Sequence, residues 1–510
     1  MYIIAGNRED RMKHFLCAVL LMASVVGCHS KPRELVIFHT NDIHGHFMAE
    51  PADWRKDHAL VGGFTALSYY LDSLRRGSPE SLYLDAGDLM TGNPVCNMEY
   101  EGVLGGALLE MLKRCGVHAM CLGNHEFDLG ADHLRDFIAA SPFPILCANL
   151  REKNAAHSLS GAVYRVERNG IRIGVIGLMM DNPWGSVARA ALQPFAVDSA
   201  ASTAQKYIDQ LDSATDLIVL LTHMGVEEDS LLAMKIHGAD IIVGGHSHTR
   251  LTEEMRVNGI VIVQAGSYLK NLGVLRLQVA GDSVVSAKDT LLELMLPPNP
   301  PQSDASVLAD SLELLIQTQY GKIIGDLEQA WKAGYYEGSN VGNWICDRLR
   351  ERYRADVALV NAGGIRGSLN PGPVSKLDIL ELLPFTNNMV LFEAKGSDLF
   401  IFAAEQATAQ GLHEHGALEM SGMTVDYSKT NETTKVVDVK INGKSVVPDK
   451  IYRIVSVDYV AQSQAERYLG FNPVDIQTTG DIISDVIMDE IANTKGPVRS
   501  DPNPRLREVQ

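Results

Sequence analysis

The residues of this sequence that could do chemistry are short groups of aspartate, asparagine and histidine beside glycine or another small residue. In chain order they are Asp42 and His44 in HTNDIHGHF, Asp88 in AGDLMTG, Asn124 and His125 in LGNHEFD, His223 in LTHMG, and His246 with His248 in GGHSHT. Side chains at positions i and i+2 of an extended segment point the same way. Each of the two i, i+2 pairs could therefore face one ligand.

Carboxylate, amide and imidazole groups are the ligands that divalent metal ions take in hydrolases. Two ions about 3.5–4 Å apart can share a bridging carboxylate and together activate a bound water. Each group alone is more commonly a cap or loop residue, and Gly-Asp pairs are common in turns. Their joint occurrence, each at the end of an apolar run, predicts a two-metal hydrolytic site.

The elements that must position these residues are short apolar, β-rich runs, each ending in a polar cluster. Such runs recur from Glu34 to about Leu296, for example LVIFHTND, LYLDAGD and DIIVGGHSH, with helical stretches around 67–74 and 105–115 between them. Strands that alternate with helices predict an α/β sandwich whose helices cover the sheets. Loops at the strand ends can then converge on one site.

These motifs resemble the metallophosphoesterase superfamily, and within it the exported 5'-nucleotidase and UDP-sugar hydrolase family, over nearly all of the mature chain. The resemblance implies a four-layer α-β-β-α metallophosphoesterase sandwich, joined by a linker to a smaller α/β substrate-binding domain. It also implies two divalent ions, one held by Asp42, His44 and His248, the other by Asn124, His223 and His246, with Asp88 bridging. The ions would be Zn, Mn, Co or Mg, because N/O ligands of this kind accept several metals.

The same resemblance gives His125 a catalytic role instead of a place among the ligands. It implies that Asp128, three residues further on, pairs with the His125 imidazole and keeps it cationic, so that it stabilises the phosphoryl oxygens or assists the leaving group. For Asp128 the structural alternative is an acid favoured by a helix dipole.

Three segments of the second half resemble the substrate-binding motifs of the family. NAGGIRGSL contains Asn361 and a glycine turn that would present Arg366 to a phosphate. LLPFTNNMV offers Phe385 as an aromatic ring that stacks on a base, and Tyr459 aligns as the second aromatic. The structural alternatives are a surface arginine at 366 and a core phenylalanine at 385.

The sequence departs from the family in this same half. Tyr335, Tyr336 and Glu337 stand where the family usually has an arginine that grips the phosphate. In addition, VDYVAQSQAERYLGF lacks the GGDG loop that follows the second aromatic in the family. The catalytic half therefore matches the family more completely than the half that would decide specificity.

The N-terminal segment has the features of a bacterial lipoprotein signal. Arg11, Lys13 and His14 precede an apolar run from Phe15 to Val26, which is too short to span a bilayer. The run ends in VVGC, so we expect Cys28 to be acylated; a plain secretory signal or a structural thiol is the alternative. The expected product is an exported lipoprotein that faces the periplasm or the cell surface.

Length and composition restrict the number of domains and the classes of function that the chain could have. A chain of 510 residues is too long for one ordinary core, which favours two domains. The net charge of -18, from 45 Lys and Arg against 63 Asp and Glu, argues against binding to polymeric nucleic acid. The cysteines after Cys28 show no CxxC spacing, so they predict no zinc knuckle.

A proline-rich segment marks the expected boundary between domains. PPNPPQSDAS, from Pro297 to Ser306, breaks the pattern and precedes a predicted helix over 308–319. We expect a signal segment at 1–28, a catalytic domain at 34–297, a linker at 298–321 and a substrate-binding domain at 322–510.

These features together predict a two-metal phosphoric ester hydrolase that acts on extracellular nucleotides. It would be a 5'-nucleotidase-like phosphomonoesterase or a pyrophosphohydrolase of UDP-sugars or nucleotides. One alternative is a 2',3'-cyclic-nucleotide phosphodiesterase with 3'-nucleotidase activity, and another is a lipid-anchored surface binding protein with a drifted C-terminal domain. The expected partners are a small phosphate ester and, only through the lipid on Cys28, a membrane; the chain is expected to be a monomer.

The lipoprotein hypothesis predicts the behaviour of Cys28→Ser. One acylated N-terminus would supply the whole membrane anchor. Loss of the thiol should therefore release the protein from the membrane fraction or block its processing, which cell fractionation and immunoblotting would detect. Unchanged partitioning into the membrane fraction would contradict the hypothesis.

Overall fold

The computed structural model describes residues 31–509, except 53, 414–415 and 431–432. The predicted signal segment and Cys28 lie outside the described residues. Within those residues, no helix combines the length and the apolar character needed to cross a membrane.

The first half of the chain contains nineteen strands and seven helices among the described residues. The strands are β1 Arg33–Thr40, β2 Glu50–Pro51, β3 Leu60–Val61, β4 Leu82–Asp85, β5 Glu99–Tyr100, β6 Val103–Leu104, β7 Ala119–Cys121, β8 Ile145–Leu146, β9 Leu150–Glu152, β10 Val163–Arg168, β11 Ile171–Met179, β12 Phe195–Val197, β13 Leu217–His223, β14 Ile241–Val243, β15 Met255–Val257, β16 Ile260–Val263, β17 Asn271–Val279, β18 Val284–Lys288 and β19 Leu291–Glu293. The helices are α1 Gly63–Arg75, α2 Gly106–Arg114, α3 Gly130–Ala140, α4 Arg189–Leu192, α5 Ala200–Leu211, α6 Val226–Lys235 and α7 Asp304–Tyr320.

Two mixed sheets dominate this half. The first has the order β18-β17-β1-β4-β7-β8, with β19 also paired to β17, and the second has the order β10-β11-β13-β14-β16-β15. The strands β1, β4, β7 and β8 are parallel, as are β11, β13, β14 and β16. Residues that follow these strands therefore lie at the carboxyl edges of the sheets, where α/β proteins bind ligands.

The two sheets pack face to face between outer helices. Ile37 of β1 shares a buried cluster with Val219 of β13, so this cluster lies between the sheets. Phe38, on the other face of β1, is buried with Leu67 of α1, and Ile208 of α5 is buried against the outer face of the second sheet. This layer order confirms the predicted α-β-β-α sandwich.

The second half forms a separate α/β unit. Its strands are β20 Ile323–Leu327, β21 Val357–Asn361, β22 Gly372–Ser375, β23 Asn388–Lys395, β24 Leu418–Ser421, β25 Met423–Lys429, β26 Thr434–Ile441, β27 Lys444–Ser445, β28 Ile451–Val457, β29 Gln477–Ile482 and β30 Leu506–Glu508. Its helices are α8 Asn340–Tyr353, α9 Lys376–Leu382, α10 Gly396–Leu412, α11 Ala465–Leu469 and α12 Ile483–Asn493. The sheets β24-β21-β28-β23-β29 and β27-β26-β25-β30 share one buried core with these helices.

The segment 298–321, predicted as a linker, consists largely of α7. This helix begins with a capping box between Ser303 and Ser306 and covers the predicted helix at 308–319. Leu312 and Ile316 are buried in the same cluster as α1 and α2. By its packing, α7 therefore belongs to the first half.

The two halves contact each other through side chains from both. Asn93 Nδ2 donates a hydrogen bond of 2.6 Å to Glu381 Oε1. The carbonyl of Gly185 accepts hydrogen bonds from the Tyr459 hydroxyl, at 3.3 Å, and from Arg467 Nη1, at 2.6 Å. These contacts hold the halves together on either flank of the cleft described next.

Candidate metal centre and substrate cleft

The seven predicted metal ligands all lie at the carboxyl ends of parallel strands. In chain order, Asp42 and His44 follow β1, Asp88 follows β4, Asn124 follows β7, His223 ends β13, and His246 and His248 follow β14. Backbone hydrogen bonds tie two of these loops together, from Asp42 N to Gly87 O at 2.8 Å and from His44 N to Asp88 O at 3.0 Å. The sheets therefore fix the position of the ligand loops.

Five of these residues have a left-handed backbone, which non-glycine residues seldom adopt. The φ values are 52° for Asp42, 52° for His44, 57° for Asp88, 80° for His246 and 54° for His248. Each such residue costs on the order of 1–3 kcal/mol and persists only where the surrounding structure imposes it. Strain of this kind concentrates at functional sites.

The side chains of this cluster converge on a small volume. His223 Nε2 lies 3.0 Å from Asp88 Oδ2, His248 Nε2 lies 3.4 Å from Asp42 Oδ1, and His44 Nε2 lies 3.0 Å from His248 Nε2. Ligands bound about 2.0–2.2 Å from one ion lie roughly 3–3.5 Å from each other. The observed spacings therefore fit shared cations.

Two imidazoles are oriented by backbone carbonyls. His44 Nδ1 lies 3.0 Å from Thr91 O, and His223 Nδ1 lies 2.7 Å from Ala86 O. A ring that donates from Nδ1 keeps the Nε2 lone pair for a metal. His223 Nε2 is buried and lies against the Asp88 carboxylate, so the two ligand atoms could share an ion.

The histidines of the cluster differ in their electrostatic surroundings. Burial lowers the pKa of His44 well below its ordinary value. Burial, with a contribution from His223, lowers the pKa of His246 to about 4. Neutral imidazole is the form that binds metal, so both residues are prepared for ligation.

Asp88 is held by groups on the neighbouring loop. Its Oδ1 accepts the backbone N–H of His125 at 2.8 Å, which leaves Oδ2 facing His223. A Cβ on Gly123 would lie 2.2 Å from Asp88 Oδ1, so only glycine fits at that position. The carboxylate therefore has one oxygen fixed and one available to cations.

Glu126 is a positioning residue that the sequence motifs did not single out. It is fully buried and accepts backbone hydrogen bonds from Gly123 at 2.7 Å and from Leu89 at 2.8 Å. It also accepts from Asp88 and Met90, both at 3.2 Å. One carboxylate thus joins the loops that carry Asp88 and Asn124. The sequence places Glu126 between the predicted site residues His125 and Asp128, but a single glutamate at such a position does not by itself indicate a role.

His125 lies beside the cluster and pairs with Asp128. The distance from His125 Nδ1 to Asp128 Oδ2 is 2.7 Å, and Thr91 Oγ1 donates to the same oxygen at 2.8 Å. Burial alone would lower the pKa of His125, but the carboxylates of Asp128 and Asp88 outweigh burial and raise it. The carboxylates therefore favour the cationic form of the imidazole. Thr91 is a second contact that sequence reasoning missed.

A cleft of about 700 Å³ opens over this cluster, between the two halves of the chain. The predicted site residues that line it are Asp88, Asn124, His125, Asp128, His246, His248, Asn361, Arg366, Phe385 and Tyr459. Asp42, His44 and His223, with at most 1% exposure, are buried behind them. The structure therefore brings the residues predicted in both halves to one place.

The predicted substrate residues take different positions in the cleft. The Phe385 ring centroid is 5.8 Å from that of His125, and the Arg366 guanidinium carbon is 5.9 Å from the Phe385 centroid. The Oδ1 of Asn361 is buried and has no hydrogen-bond partner among the described residues. Tyr459 is half-buried and its hydroxyl donates to Gly185 O. That hydroxyl therefore serves the contact between the halves.

Two tyrosines occupy the place where the sequence departs from its relatives. Tyr335 and Tyr336 both line the cleft, with exposures of 49% and 37%. Their rings meet edge to face at 4.8 Å, and Tyr336 stacks on His413 at 4.6 Å. This side of the cleft is therefore aromatic and uncharged.

Comparison with known proteins agrees with this geometry. The family model described as calcineurin-like phosphoesterase matches residues 35–250, and that described as the 5'-nucleotidase C-terminal domain matches residues 321–470. The 5'-nucleotidase of Bos taurus is 27% identical over 496 residues, which cover 86% of this chain and 84% of that protein.

Two further relatives extend the comparison. The endonuclease YhcR of Bacillus subtilis (strain 168) is 27% identical over 478 residues, which cover 86% of this chain, and the chain spans only 38% of the length of that protein. The crystal structure of a 5'-nucleotidase precursor from Thermus thermophilus superposes with a TM-score of 0.82 and 26% identity, covering 93% of this chain and 99% of that chain.

The contacts of Glu126 predict the effect of Glu126→Gln. The amide keeps one acceptor oxygen but sets an NH₂ group against backbone donors, and a buried unsatisfied donor costs about 1–3 kcal/mol. We expect less bound metal per chain and a lower Tm, measured by inductively coupled plasma mass spectrometry and calorimetry. Exposed Glu80→Gln is the matched control. Unchanged metal content and Tm would contradict the positioning role.

Proposed function

Because the chain belongs to the family that joins a calcineurin-like phosphoesterase domain to a 5'-nucleotidase C-terminal domain, we propose that it hydrolyses nucleotide phosphate esters with two divalent ions. The chain is a metal-dependent phosphoester hydrolase. The proposal adds the number of ions, the residues that hold them and the substrate. The observation that carries it is the convergence of ligand, charge and aromatic groups from both halves on one cleft.

The donor groups support a division between two ions. Ligand atoms of Asp42, His44 and His248 lie within 4.8 Å of one another, and so do those of Asp88, His223 and His246. Asn124 Oδ1 lies 2.8 Å from His246 Nδ1 and completes the second set. Asp88 would serve both ions, because its Oδ2 is also 3.8 Å from His44 Nε2. Together, two such ions supply an activated water and neutralise phosphoryl oxygens.

The residues around the ions have separate tasks in this proposal. Cationic His125, oriented by Asp128, faces the cleft and donates to a phosphoryl or leaving-group oxygen. Arg366 offers its planar fork to phosphate oxygens. Phe385 stacks on the base, with Tyr459 beside it, and Asn361 accepts a hydrogen bond from the substrate.

We also propose a division into domains and a location for the protein. In this proposal the catalytic domain spans 34–297, with α7 packed against it, and the substrate-binding domain spans 322–510. The two domains would close the cleft between them. We further propose that the protein acts as an exported, monomeric lipoprotein attached through Cys28.

A substrate panel tests the proposed function. AMP, ATP, UDP-glucose, 2',3'-cyclic AMP and 3'-AMP would be compared with added Mn²⁺, Zn²⁺, Co²⁺ or Mg²⁺, with released phosphate and nucleoside measured by chromatography. We expect 5'-nucleotides to be hydrolysed best and chelation to abolish turnover. Hydrolysis restricted to the cyclic nucleotide and 3'-AMP would favour the phosphodiesterase alternative, and no hydrolysis with any metal would favour a binding protein.

The proposed roles of Asp88 and His125 predict different defects. Asp88→Asn weakens the group shared by both ions. This variant should therefore hold less metal than a variant that lacks any one of the outer histidines. His125→Ala should keep its metal but lower kcat by about 100-fold or more, because a proton-transferring or charge-stabilising group is removed. Metal content and AMP kinetics measure both effects, and exposed His237→Ala is the control. A fall in metal content with His125→Ala would make His125 a ligand.

A further inference from the structure

Tyr268 packs against the candidate metal centre from the loop between β16 and β17. Its ring centroid lies 5.7 Å from that of His44 and 5.4 Å from that of His248. Its backbone N–H donates a hydrogen bond of 2.8 Å to the carbonyl of Asp42. These three residues are the ligands proposed for one of the two ions, which we call the first ion. One tyrosine therefore contacts the whole ligand set of the first ion.

The ligands proposed for the second ion are supported in another way. The rings of His223 and His246 meet edge to face at 5.3 Å, and within the part of the chain that the structure describes neither ring contacts Tyr268. Nδ1 of His223 lies 2.7 Å from Ala86 O. Nδ1 of His246 lies 2.8 Å from Asn124 Oδ1, which belongs to the same ligand set. The contact with Tyr268 thus distinguishes the first ligand set from the second.

His248 is the ligand whose orientation depends most on packing. Its Nε2 lies 3.4 Å from Asp42 Oδ1 and 3.0 Å from His44 Nε2, but none of the described residues hydrogen-bonds to its Nδ1. Nδ1 of His44, by contrast, lies 3.0 Å from Thr91 O. A ligand that lacks an orienting hydrogen bond must be held by the side chains on which it packs. For His248 the ring of Tyr268 takes that place.

Several contacts determine the position of Tyr268 itself. The residue is half-buried and has a φ of 61°, and Leu269 follows with a φ of 51°. A positive φ is an outlier for a bulky residue and persists only where the surrounding structure imposes it. The ring centroid of His46 lies 4.3 Å from that of Tyr268, and Lys270 Nζ lies 5.1 Å from the same centroid. His46 is held in turn by Glu50, at 2.5 Å. The ring is therefore a fixed support.

We propose that Tyr268 is a positioning residue that holds the ligands of the first ion and thereby sets the affinity of that ion more than the affinity of the second. The inference rests on the proposed function, which divides the ligands between two ions. Tyr268 acts through the ligands, so it is not itself a catalytic residue. Loss of a group that orients metal ligands lowers metal affinity by about 10–100-fold. We expect a loss of this size at one ion.

The test measures Mn²⁺ binding to the full-length protein by isothermal titration calorimetry. Tyr268→Ala should bind one ion as the wild type does and the other about 10–100-fold more weakly. At a Mn²⁺ concentration that saturates the wild type, electron paramagnetic resonance should then show a single ion in place of a spin-coupled pair. Tyr268→Phe keeps the ring and should restore both the affinity and the coupling.

A double variant identifies which ion is affected. His248→Ala already lacks a ligand of the first ion, so adding Tyr268→Ala should change the affinity for the remaining ion little, because both changes act on the same site. A further loss of affinity in the double variant, as large as that in Tyr268→Ala, would mean that Tyr268 supports both ions. That result would overturn the inference.

Tyr164→Ala is the matched control, because Tyr164 is also half-buried and packs on the cluster between the two sheets. It should lower Tm without changing the binding of either ion. If Tyr268→Ala does not fold, Tyr268→Leu, which keeps an apolar side chain without the ring, takes its place.

The outcomes separate this inference from the proposed function. If the wild type binds two coupled ions and Tyr268→Ala keeps both at unchanged affinity, or weakens both equally, the proposed function stands and the inference fails. If the wild type binds fewer than two ions, the proposed two-ion centre fails and the inference fails with it.

Discussion

Burial of two carboxylates in one small volume is the constraint on which the rest of the structure depends. Asp42 and Asp88 are almost fully buried, and both face the same imidazoles. Charges removed from water are costly unless cations or hydrogen-bond donors compensate them. Part of the compensation is built into the backbone, since Asp42 accepts from His246 N and Asp88 accepts from His125 N. Asp42 Oδ1 and Asp88 Oδ2 lie 3.9 Å and 3.8 Å from the same atom, His44 Nε2, so divalent ions bound among these groups would supply the remaining compensation. The strained left-handed backbone at these positions follows from the same requirement, because it turns several side chains from neighbouring loops toward one point.

Much of this centre could be predicted from the sequence, because each ligand is marked by the few residues next to it. An apolar run that ends in a polar residue beside glycine places that residue at a sheet edge, and parallel strands bring such edges together. His44 and His248 were therefore identifiable from type and spacing. Glu126 and Thr91 were not, since each acts through tertiary contacts, with the Asp88 loop and with Asp128, that no spacing encodes. The helix α7 shows the same limit. Its existence was predictable from its composition, but burial of Ile316 against the first domain depends on partners more than two hundred residues away.

The division of labour between the halves has an energetic reason. The candidate metal ligands and His125 lie in the first half, whereas Arg366, proposed to bind phosphate oxygens, and Phe385, proposed to stack on the base, lie in the second. Binding energy from a non-reacting part of a substrate can position the reacting part only if both are held in one rigid frame. The contacts of Asn93 with Glu381 and of Arg467 with Gly185 supply that frame in this structure. Shape and charge of the cleft, and not the metal centre, would then decide which ester is cleaved.

These contacts show what one segment does in the structure. It is the segment in which the sequence departs most from its relatives. VDYVAQSQAERYLGF lacks the expected glycine-rich loop, yet three of its side chains, from Tyr459, Gln464 and Arg467, donate hydrogen bonds to the Trp184–Gly185 backbone. The chain here forms a π-helical turn followed by α11, which presents those donors along one side. The only side chain of a GGDG loop is that of an aspartate, which when ionised accepts hydrogen bonds and cannot donate to a carbonyl. Where the family has a glycine-rich loop, this chain therefore has three side chains that connect the halves through the Trp184–Gly185 backbone. A change at Tyr459 or Arg467 would alter the domain contact and the wall of the cleft together, because both residues also line the cleft.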